Sequence, residues 1–443
     1  MHKSMLAALL LITFAGCAED ADPAEPTDPA PAPPMLDDVG AALDGGQDIV
    51  NLERIGHIAL GGEEADAWGD YIFVDQGSTI RILQMTLDNG TALFSEVSSF
   101  TATAPKDVKV SDDGNWLFLG NDDPASGTPL DAVRAGGFYV YDVSDKENPA
   151  FVSRLPVGQI RGPHMVFYIQ QPDGTELVLG ANGDVSINEF DRATGTLTER
   201  SRYAPDPITE VNRDPQVIDA YYQLFTHDMF AMVDPVTDQT LMYTASWDAG
   251  LHIVDISDPS DPVQLGFWND YPEGHTGNLH TVATEWIGDK RITVGSVEVG
   301  FEIVGGIPYF TGNEKSILYV WDTTDLANPT LLGTWENPFG IGPGQSGVAL
   351  GAVTGDEVKS THNLQLEDGR VYMAHYGLGV WVLDVSTPET QATPEVLAFD
   401  MEAGNLWDTI VHQGVTITSG SDGVTGYRFA LDALGPAGIS SRA

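Results

Sequence analysis

Apolar residues occur along most of the chain in short runs rich in β-branched and aromatic side chains, and Gly, Pro, Asp and Ser separate these runs. Such runs, bounded by turn-forming residues, are typical of β-strands. Residues 363–366 and 371–374, joined at Glu367-Asp368-Gly369, predict one short hairpin of this kind. The 3.6-residue spacing of an amphipathic helix is nearly absent. The pattern therefore predicts an all-β protein.

One pattern recurs along the chain: an apolar strand, an Asp, a short turn of Ser, Asp and Pro, and then a second apolar strand. The Asp and Ser side chains can accept hydrogen bonds from the amides of the turn, and Pro ends the strand pairing, so each copy predicts a hairpin. The strong copies are residues 137–149, 250–266, 317–333 and 379–388, and the weaker copies are residues 78–83, 184–191 and 426–431.

The number of copies predicts the architecture. Two further short strands precede each copy, which gives four strands per unit and seven units over the chain. A ring of seven four-stranded sheets, a β-propeller, protects the sheet edges by radial repetition. The last unit has no outer strand of its own, whereas residues 51–60 resemble one and precede the first unit. We therefore expect this N-terminal strand to complete the seventh blade and close the ring.

Residues 252–262, His-Ile-Val-Asp-Ile-Ser-Asp-Pro-Ser-Asp-Pro, resemble the LVIVD repeat, and the resemblance extends over nearly all of the chain after residue 50. The two outermost units depart from it because they lack the Pro turn. The resemblance implies a secreted or surface-attached bacterial or archaeal propeller. The family has no established common reaction, so the resemblance implies fold and location and says little about chemistry.

The first residues predict export and a lipid anchor. Residues 1–16 combine Lys3, an apolar run and the small pair Ala15-Gly16, as in a secretory signal peptide. Phe14-Ala15-Gly16-Cys17 resembles the bacterial lipobox, in which the Cys is lipidated, and several acyl chains anchor a protein firmly. Cys17 is the single Cys, which excludes an intramolecular disulfide. We therefore expect a protein of the bacterial cell envelope, bound to the membrane through Cys17 on the periplasmic side or at the cell surface.

The rest of the chain divides by composition. Residues 17–49 carry the lipidated Cys and an acidic, Pro-rich segment with little to bury, which predicts a disordered tether. Residues 50–435 form the predicted propeller, and residues 436–443 form a polar tail.

The charge restricts the partners. The chain has 65 Asp and Glu against 20 Lys and Arg, a formal net charge of -45. Nucleic-acid binding needs a surplus of Lys and Arg on the protein, so this composition excludes nucleic acid as a partner.

Four histidines occupy the same position in four successive four-stranded units. His362 lies seven residues before Gly369, and His164, His227 and His280 occupy the equivalent position at the start of an innermost strand. In a propeller these positions share one mouth of the axial channel. Neutral imidazoles are ligands for zinc, copper or iron, so the four histidines either form a metal or ligand site there or bond the backbone of neighbouring blades and serve packing alone. Asp107, seven residues before Gly114, and Asp228 are the predicted accessory ligands.

The remaining candidates are weaker. His375 either borders the same mouth or occupies a turn, and His275 lies in a Gly-flanked loop that could contribute a lid ligand. His57, His252 and His412 are interpreted as structural. The acidic segments 121–123 and 255–261 lack the twelve-residue calcium loop and are interpreted as solvated turns. No catalytic residue is predicted, because residues 344–347 miss the nucleophile-elbow spacing.

Three functions are consistent with these features, and one of them is a purely structural surface spacer. The first is an envelope-anchored binding module that holds a protein, a glycan or a small ligand through its loops. The alternative is a metal-dependent enzyme, an oxidoreductase, with a metal held by His164, His227, His280 and His362.

Overall fold

A computed structural model of the chain describes residues 39–102, 105–122, 136–156, 162–205, 226–272, 277–298, 301–304, 307–310, 316–339 and 359–429. These residues belong to one compact unit, Leu36–Ala443. The predicted signal peptide, Cys17, His275, residues 344–347 and the predicted tail lie outside the described residues. Among the described residues, no helix has the length and apolarity needed to cross a membrane.

The strands form seven antiparallel sheets, the blades, and each sheet runs outward from the channel axis. Blade 1 contains Ala65–Trp68, Tyr71–Gln76, Thr79–Asp88 and Thr91–Thr101; blade 2 contains Asp107–Val110, Trp116–Asn121, Gly137–Asp142 and Ala150–Pro156. Blade 3 contains Met165–Gln170, Glu176–Asn182, Asp184–Asp191 and Thr196–Tyr203; blade 4 contains Asp228–Val233, Thr240–Ser246, Gly250–Asp255 and Val263–Trp268. Blade 5 contains Leu279–Ile287, Lys290–Val297, Ile317–Asp322 and Thr330–Glu336; blade 6 contains Ser360–Glu367, Arg370–Tyr376, Gly379–Asp384 and Glu395–Asp400; blade 7 contains Leu406–His412, Val415–Gly420, Gly423–Phe429 and Leu52–Ile58.

The first strand of each blade lies innermost. Each innermost strand contacts the innermost strand of the next blade, and the last contacts the first, so the seven blades form a closed ring. The predicted seven-bladed β-propeller is therefore confirmed. A small hairpin, Phe301–Val304 paired with Ile307–Phe310, is inserted in blade 5. Short helical segments are Val39–Asp44, Pro388–Ala392 and the 3-10 turn Met401–Ala403.

The N-terminal strand closes the ring as expected. Leu52–Ile58 pairs antiparallel with Gly423–Phe429 and supplies the outer strand of blade 7. Just before it, Ile49–Val50 adds a short fifth strand to blade 6. Arg54 of the closing strand forms an ion pair of 2.5 Å with Asp400, a fully buried carboxylate of blade 6. The segment thus connects the last two blades.

The tether boundary predicted at residue 49 needs correction. Residues 39–44 form a helix in place of the predicted disordered segment, because Ala42 is buried and Val39 and Leu43 pack against the core of blade 6. The three apolar residues lie at i, i+3 and i+4 and therefore share one face of the helix. The acidic composition around them concealed this short periodic run.

The repeated Asp forms the predicted turn. Its Oδ1 accepts the backbone N–H of the residue two positions later, at 2.9 Å from Asp255 to Ser257 and at 2.7 Å from Asp384 to Ser386. In three of the four strong copies the same strand begins with a Gly of positive φ, +84° at Gly250, where a Cβ would collide with the carbonyl of Trp268. The repeat therefore needs Gly and Asp for conformational reasons.

The long connections join strand ends at only one face. Innermost strands start at this face, called the mouth face, and second strands end there. Four connections, 122–136, 204–227, 298–316 and 337–359, join strands at the mouth face. On the opposite face the longest connection is 385–394, and most are tight turns. Binding and catalytic residues concentrate on loops held by a rigid scaffold, so the mouth face is the functional candidate.

Candidate metal centre

The four predicted histidines lie at the start of four neighbouring innermost strands. His164 and His227 immediately precede the first strands of blades 3 and 4, and their backbone N–H groups bond the equivalent carbonyls of Ala181 and Ala245. His280 and His362 lie in blades 5 and 6, at shifts in register between the first two strands. Equivalent positions in four neighbouring blades therefore place imidazoles on one side of the mouth.

The structure brings these imidazoles into one continuous row. The ring centroids of His164 and His227 are 4.8 Å apart, those of His227 and His280 are 3.9 Å apart, and those of His280 and His362 are 4.6 Å apart. His164 retains 29% of its side-chain exposure, whereas His280 is fully buried. The assignment of all four as metal ligands stays a prediction.

A carboxylate that sequence reasoning missed completes a compact donor set. Glu298 directly follows the second strand of blade 5, and ligand atoms of His227, His280 and Glu298 all lie within 4.8 Å of one another. The Nε2 atom of His280 is 3.7 Å from Oε2 of Glu298. A tetrahedral ion with bonds of about 2.1 Å keeps its ligand atoms roughly 3.4 Å apart, so the side chains would have to close in by up to about 1.4 Å. The sequence feature that could have identified Glu298 is its position directly after a predicted strand that ends at the mouth.

Burial keeps the inner imidazoles neutral. It lowers the pKa of His227 and of His280 well below the usual range, and the neighbouring imidazoles lower them further. The pKa of His362 falls to about 3, mainly through burial. Neither ring nitrogen of His280 has a partner at hydrogen-bonding geometry among the described residues. A buried polar atom without a partner is costly, and a metal ion would satisfy it.

The two outer histidines are oriented by acceptors. Nδ1 of His164 lies 2.7 Å from Oδ2 of Asp122, and Nδ1 of His362 lies 2.5 Å from the carbonyl oxygen of Trp407. A carbonyl or carboxylate oxygen accepts the proton on Nδ1, which leaves Nε2 as the nitrogen with an available lone pair. Metal-bound histidines are commonly held by such second partners. Asp122, predicted as part of a solvated acidic turn, instead has this orienting position.

Tyr376 supports the carboxylate. Its hydroxyl bonds Glu298, and its ring centroid lies 4.7 Å from that of His362 and 5.8 Å from that of Trp407. Burial raises the pKa of Glu298 to about 7, while the nearby His164 and the bond from Tyr376 act in the opposite direction. Burial thus favours the protonated form of Glu298, and a cation bound beside the group would favour the carboxylate.

Asp107 and Asp228 lie one position further along their strands and connect blades. Oδ2 of Asp107 accepts the N–H of Val166 in blade 3 at 2.7 Å, and its Oδ1 accepts Nζ of Lys109 at 2.6 Å. Asp228 bonds the side chain of Thr281 in blade 5, and burial raises its pKa to about 7. Their accessory-ligand role stays a prediction, and the observed contacts are structural.

The other histidines have local partners. His57 bonds Thr425 at 2.9 Å, His412 bonds the carbonyl of Gly69 at 2.6 Å, and both match the structural interpretation. His252 bonds Tyr203, Gln264 and Ala249 within the outer part of blades 3 and 4. His375 is a buried second-strand residue whose Nε2 lies 3.3 Å from Asn337, so it is neither a turn residue nor part of the row.

The described geometry resembles sites that leave coordination positions open. Two imidazoles and one carboxylate are the ligand set of several zinc hydrolases and of non-haem iron oxygenases. Such a set binds a divalent ion and leaves room for water or a substrate. His164 and His362 flank the set on either side and could enlarge it.

Comparison with known proteins supports the repeat and the fold. Residues 241–270 match the model of the LVIVD repeat. None of the curated protein sequences compared with the chain matches it. The fold is similar to the periplasmic gluconolactonase PpgL of Pseudomonas aeruginosa, with 12% identity and a TM-score of 0.54 over 82% of this chain and 90% of that chain. It is also similar to the C-terminal WD40 domain of Sif2, with 11% identity and a TM-score of 0.50 over 85% of this chain and 97% of that chain. At these identities the similarity shows the fold alone.

Proposed function

We propose that this LVIVD-repeat propeller is an envelope lipoprotein that binds a transition-metal ion at the mouth of its channel, with His227, His280 and Glu298 as the ligands of the ion. His164 and His362 lie beside this triad as further nitrogen donors. The ligand set suits zinc, copper or iron, because it contains imidazole nitrogen and carboxylate oxygen and no sulfur.

The observation that carries the proposal is the convergence of two buried imidazoles and a partly buried carboxylate. The ligand atoms lie within 4.8 Å of one another, and the buried ring of His280 has no hydrogen-bonding partner among the described residues. Packing alone gives no reason to place neighbouring imidazoles and a carboxylate side by side with both ring nitrogens of the buried His280 outside hydrogen-bonding geometry. A metal ion supplies that reason, since it pairs with every donor at once.

The location is proposed from the sequence. The signal-like residues 1–16 and the lipobox-like residues 14–17 support export and lipidation of Cys17. Labelling with a radioactive fatty acid in a bacterial host tests this: the wild type should incorporate label, and Cys17→Ser should not. Label that persists in the Ser variant would contradict lipidation at this residue.

Metal content is tested on protein purified without an affinity tag. After exchange into metal-free buffer and incubation with Zn²⁺ or Co²⁺, elemental analysis should give about one tightly held ion per chain. His280→Ala and Glu298→Gln should reduce the bound metal strongly while the circular dichroism stays that of a β protein. His57→Ala is the matched control, because His57 is an exposed imidazole on the closing strand. A wild type that retains no metal, or one whose metal is unaffected by both site variants, would overturn the proposal.

A further inference from the structure

The row of imidazoles is graded by burial. His164, at the blade 3 end, retains 29% of its side-chain exposure, whereas His227, His280 and His362 are all buried. The row of imidazoles therefore has one end that solvent reaches and a buried part that contains His227 and His280, beside Glu298, whose side chain is 21% exposed. A hydrated cation meets the exposed end first.

From this gradient we infer that His164 is the capture ligand, the residue that first binds an incoming divalent cation and passes it to His227, His280 and Glu298. This inference rests on the proposed function. The centroid of His227 is 4.8 Å from that of His164 and 3.9 Å from that of His280, so an ion bound to His164 needs to move only a few ångströms. In each transfer one imidazole ligand replaces another, so the ion is never without a protein ligand in the buried site.

Asp122 prepares His164 for this role. The carboxylate holds Nδ1 at 2.7 Å, fixes the orientation of the ring and directs the unprotonated nitrogen, Nε2, away from itself. Asp122 is itself buried, so its charge is screened little by solvent and favours a cation at the neighbouring ring. An imidazole needed only for packing would have no use for a buried carboxylate partner at an exposed position.

The charge of the whole chain acts in the same direction. A net charge of -45 produces a negative potential that attracts divalent cations and repels anions. Electrostatic steering raises association rates and weakens as ionic strength rises. The cation is thereby concentrated at the surface, and His164 is the exposed imidazole of the row that can bind it.

Stopped-flow mixing with Co²⁺ tests the inference. The ring centroid of Trp247 lies 5.9 Å from that of His227, so quenching of tryptophan fluorescence reports arrival at the buried triad. His164→Ala should lower the association rate about tenfold or more, and the rate in the wild type should fall with added salt. The dissociation rate should fall in parallel, so that Kd changes by less than about threefold, because a capture ligand acts in both directions. His164→Gln, which retains a polar side chain, should behave like the Ala variant, and Asp122→Asn should give an intermediate rate.

The possible outcomes separate the two proposals. His57→Ala should match the wild type in every rate constant. Unchanged association in both His164 variants, with Co²⁺ still bound, would overturn the capture role and leave the metal site intact. An increase in the dissociation rate with unchanged association would also overturn it, because His164 would then be a permanent ligand. A wild type that does not bind Co²⁺ would overturn the proposed function itself.

Discussion

The hydroxyl of Tyr376 bonds the carboxylate of Glu298, and so a residue from the second strand of blade 6 supports a candidate ligand that follows the second strand of blade 5. Tyr376 also packs its ring 4.7 Å from that of His362. One phenol therefore positions two members of the site, and it belongs to a blade different from that of Glu298.

Tyr376→Phe removes the bond and preserves the ring. We expect the affinity for Zn²⁺ or Co²⁺ to fall about 10- to 100-fold, which is the usual cost of losing an orienting partner of a metal ligand. Isothermal titration calorimetry measures the affinity, and the visible spectrum of the Co²⁺ form should change because the coordination geometry relaxes.

Tyr243→Phe is the matched control. Tyr243 is a buried tyrosine of blade 4 whose surroundings are Arg291, Asp234 and Thr323. Its loss should leave the metal affinity unchanged. Equal affinities in the wild type and the Tyr376 variant would show that the phenol does not position Glu298.

Metal binding should stabilise the fold. An ion that binds only the folded chain adds about 2.7 kcal/mol at a concentration a hundred times its Kd. We therefore expect the thermal midpoint to rise by several degrees with Zn²⁺ and to return to its initial value after a chelator is added. His280→Ala should abolish this rise, whatever its own midpoint. A rise of the same size in the variant would place the stabilising ion elsewhere.

The closing strand should contribute strongly to stability. Burial of Leu52 and Ile55 contributes roughly 3 to 6 kcal/mol, and Arg54 pairs with the buried carboxylate of Asp400. A chain that starts at residue 60 should melt about 10 °C or more below one that starts at residue 47. Differential scanning calorimetry measures the difference. Closely similar midpoints would mean that blade 7 is stable without its outer strand.

Asp75 should make stability depend on pH. It is fully buried, its Oδ1 accepts the N–H of Glu64, and its Oδ2 has no hydrogen-bonding partner among the described residues. Burial, followed by the charge of Glu63, raises the pKa of Asp75 well above the usual range. The folded chain therefore retains a proton that the unfolded chain releases above about pH 4, so stability decreases as pH rises towards the folded-state pKa.

Asp75→Asn should remove this contribution. We expect thermal midpoints to fall less between pH 5 and pH 8 in the variant than in the wild type, with the variant about 1 kcal/mol more stable at pH 8. Asp173→Asn is the control, because Asp173 lies in an exposed turn and a backbone bond from Thr175 lowers its pKa. The same pH slope in the wild type and in Asp75→Asn would contradict the assignment.

The sequence by itself determined the fold. Local conformation requires Gly at the positive φ of position 250 and Asp255 to accept the amide of Ser257. The Asp recurs in each strong copy and the Gly in three of the four, at positions 137, 250 and 379, so both are visible as a repeated motif. The position of each His at the start of the innermost strand of its unit also placed His164, His227, His280 and His362 at one mouth. Residues at equivalent positions of a repeat occupy equivalent positions in the blades of a propeller, and so these residues could be found without coordinates.

Only the tertiary structure decided which side chains share the site. Glu298 and Tyr376 come from blades 5 and 6, outside the repeated pattern, and their contact depends on how neighbouring blades are packed. The acceptors Asp122 and the carbonyl of Trp407 likewise belong to the blades next to those of the histidines they hold. His164 is partly exposed and His280 is buried because of how the blades pack in the closed ring. This difference cannot be recognised from the sequence around either residue.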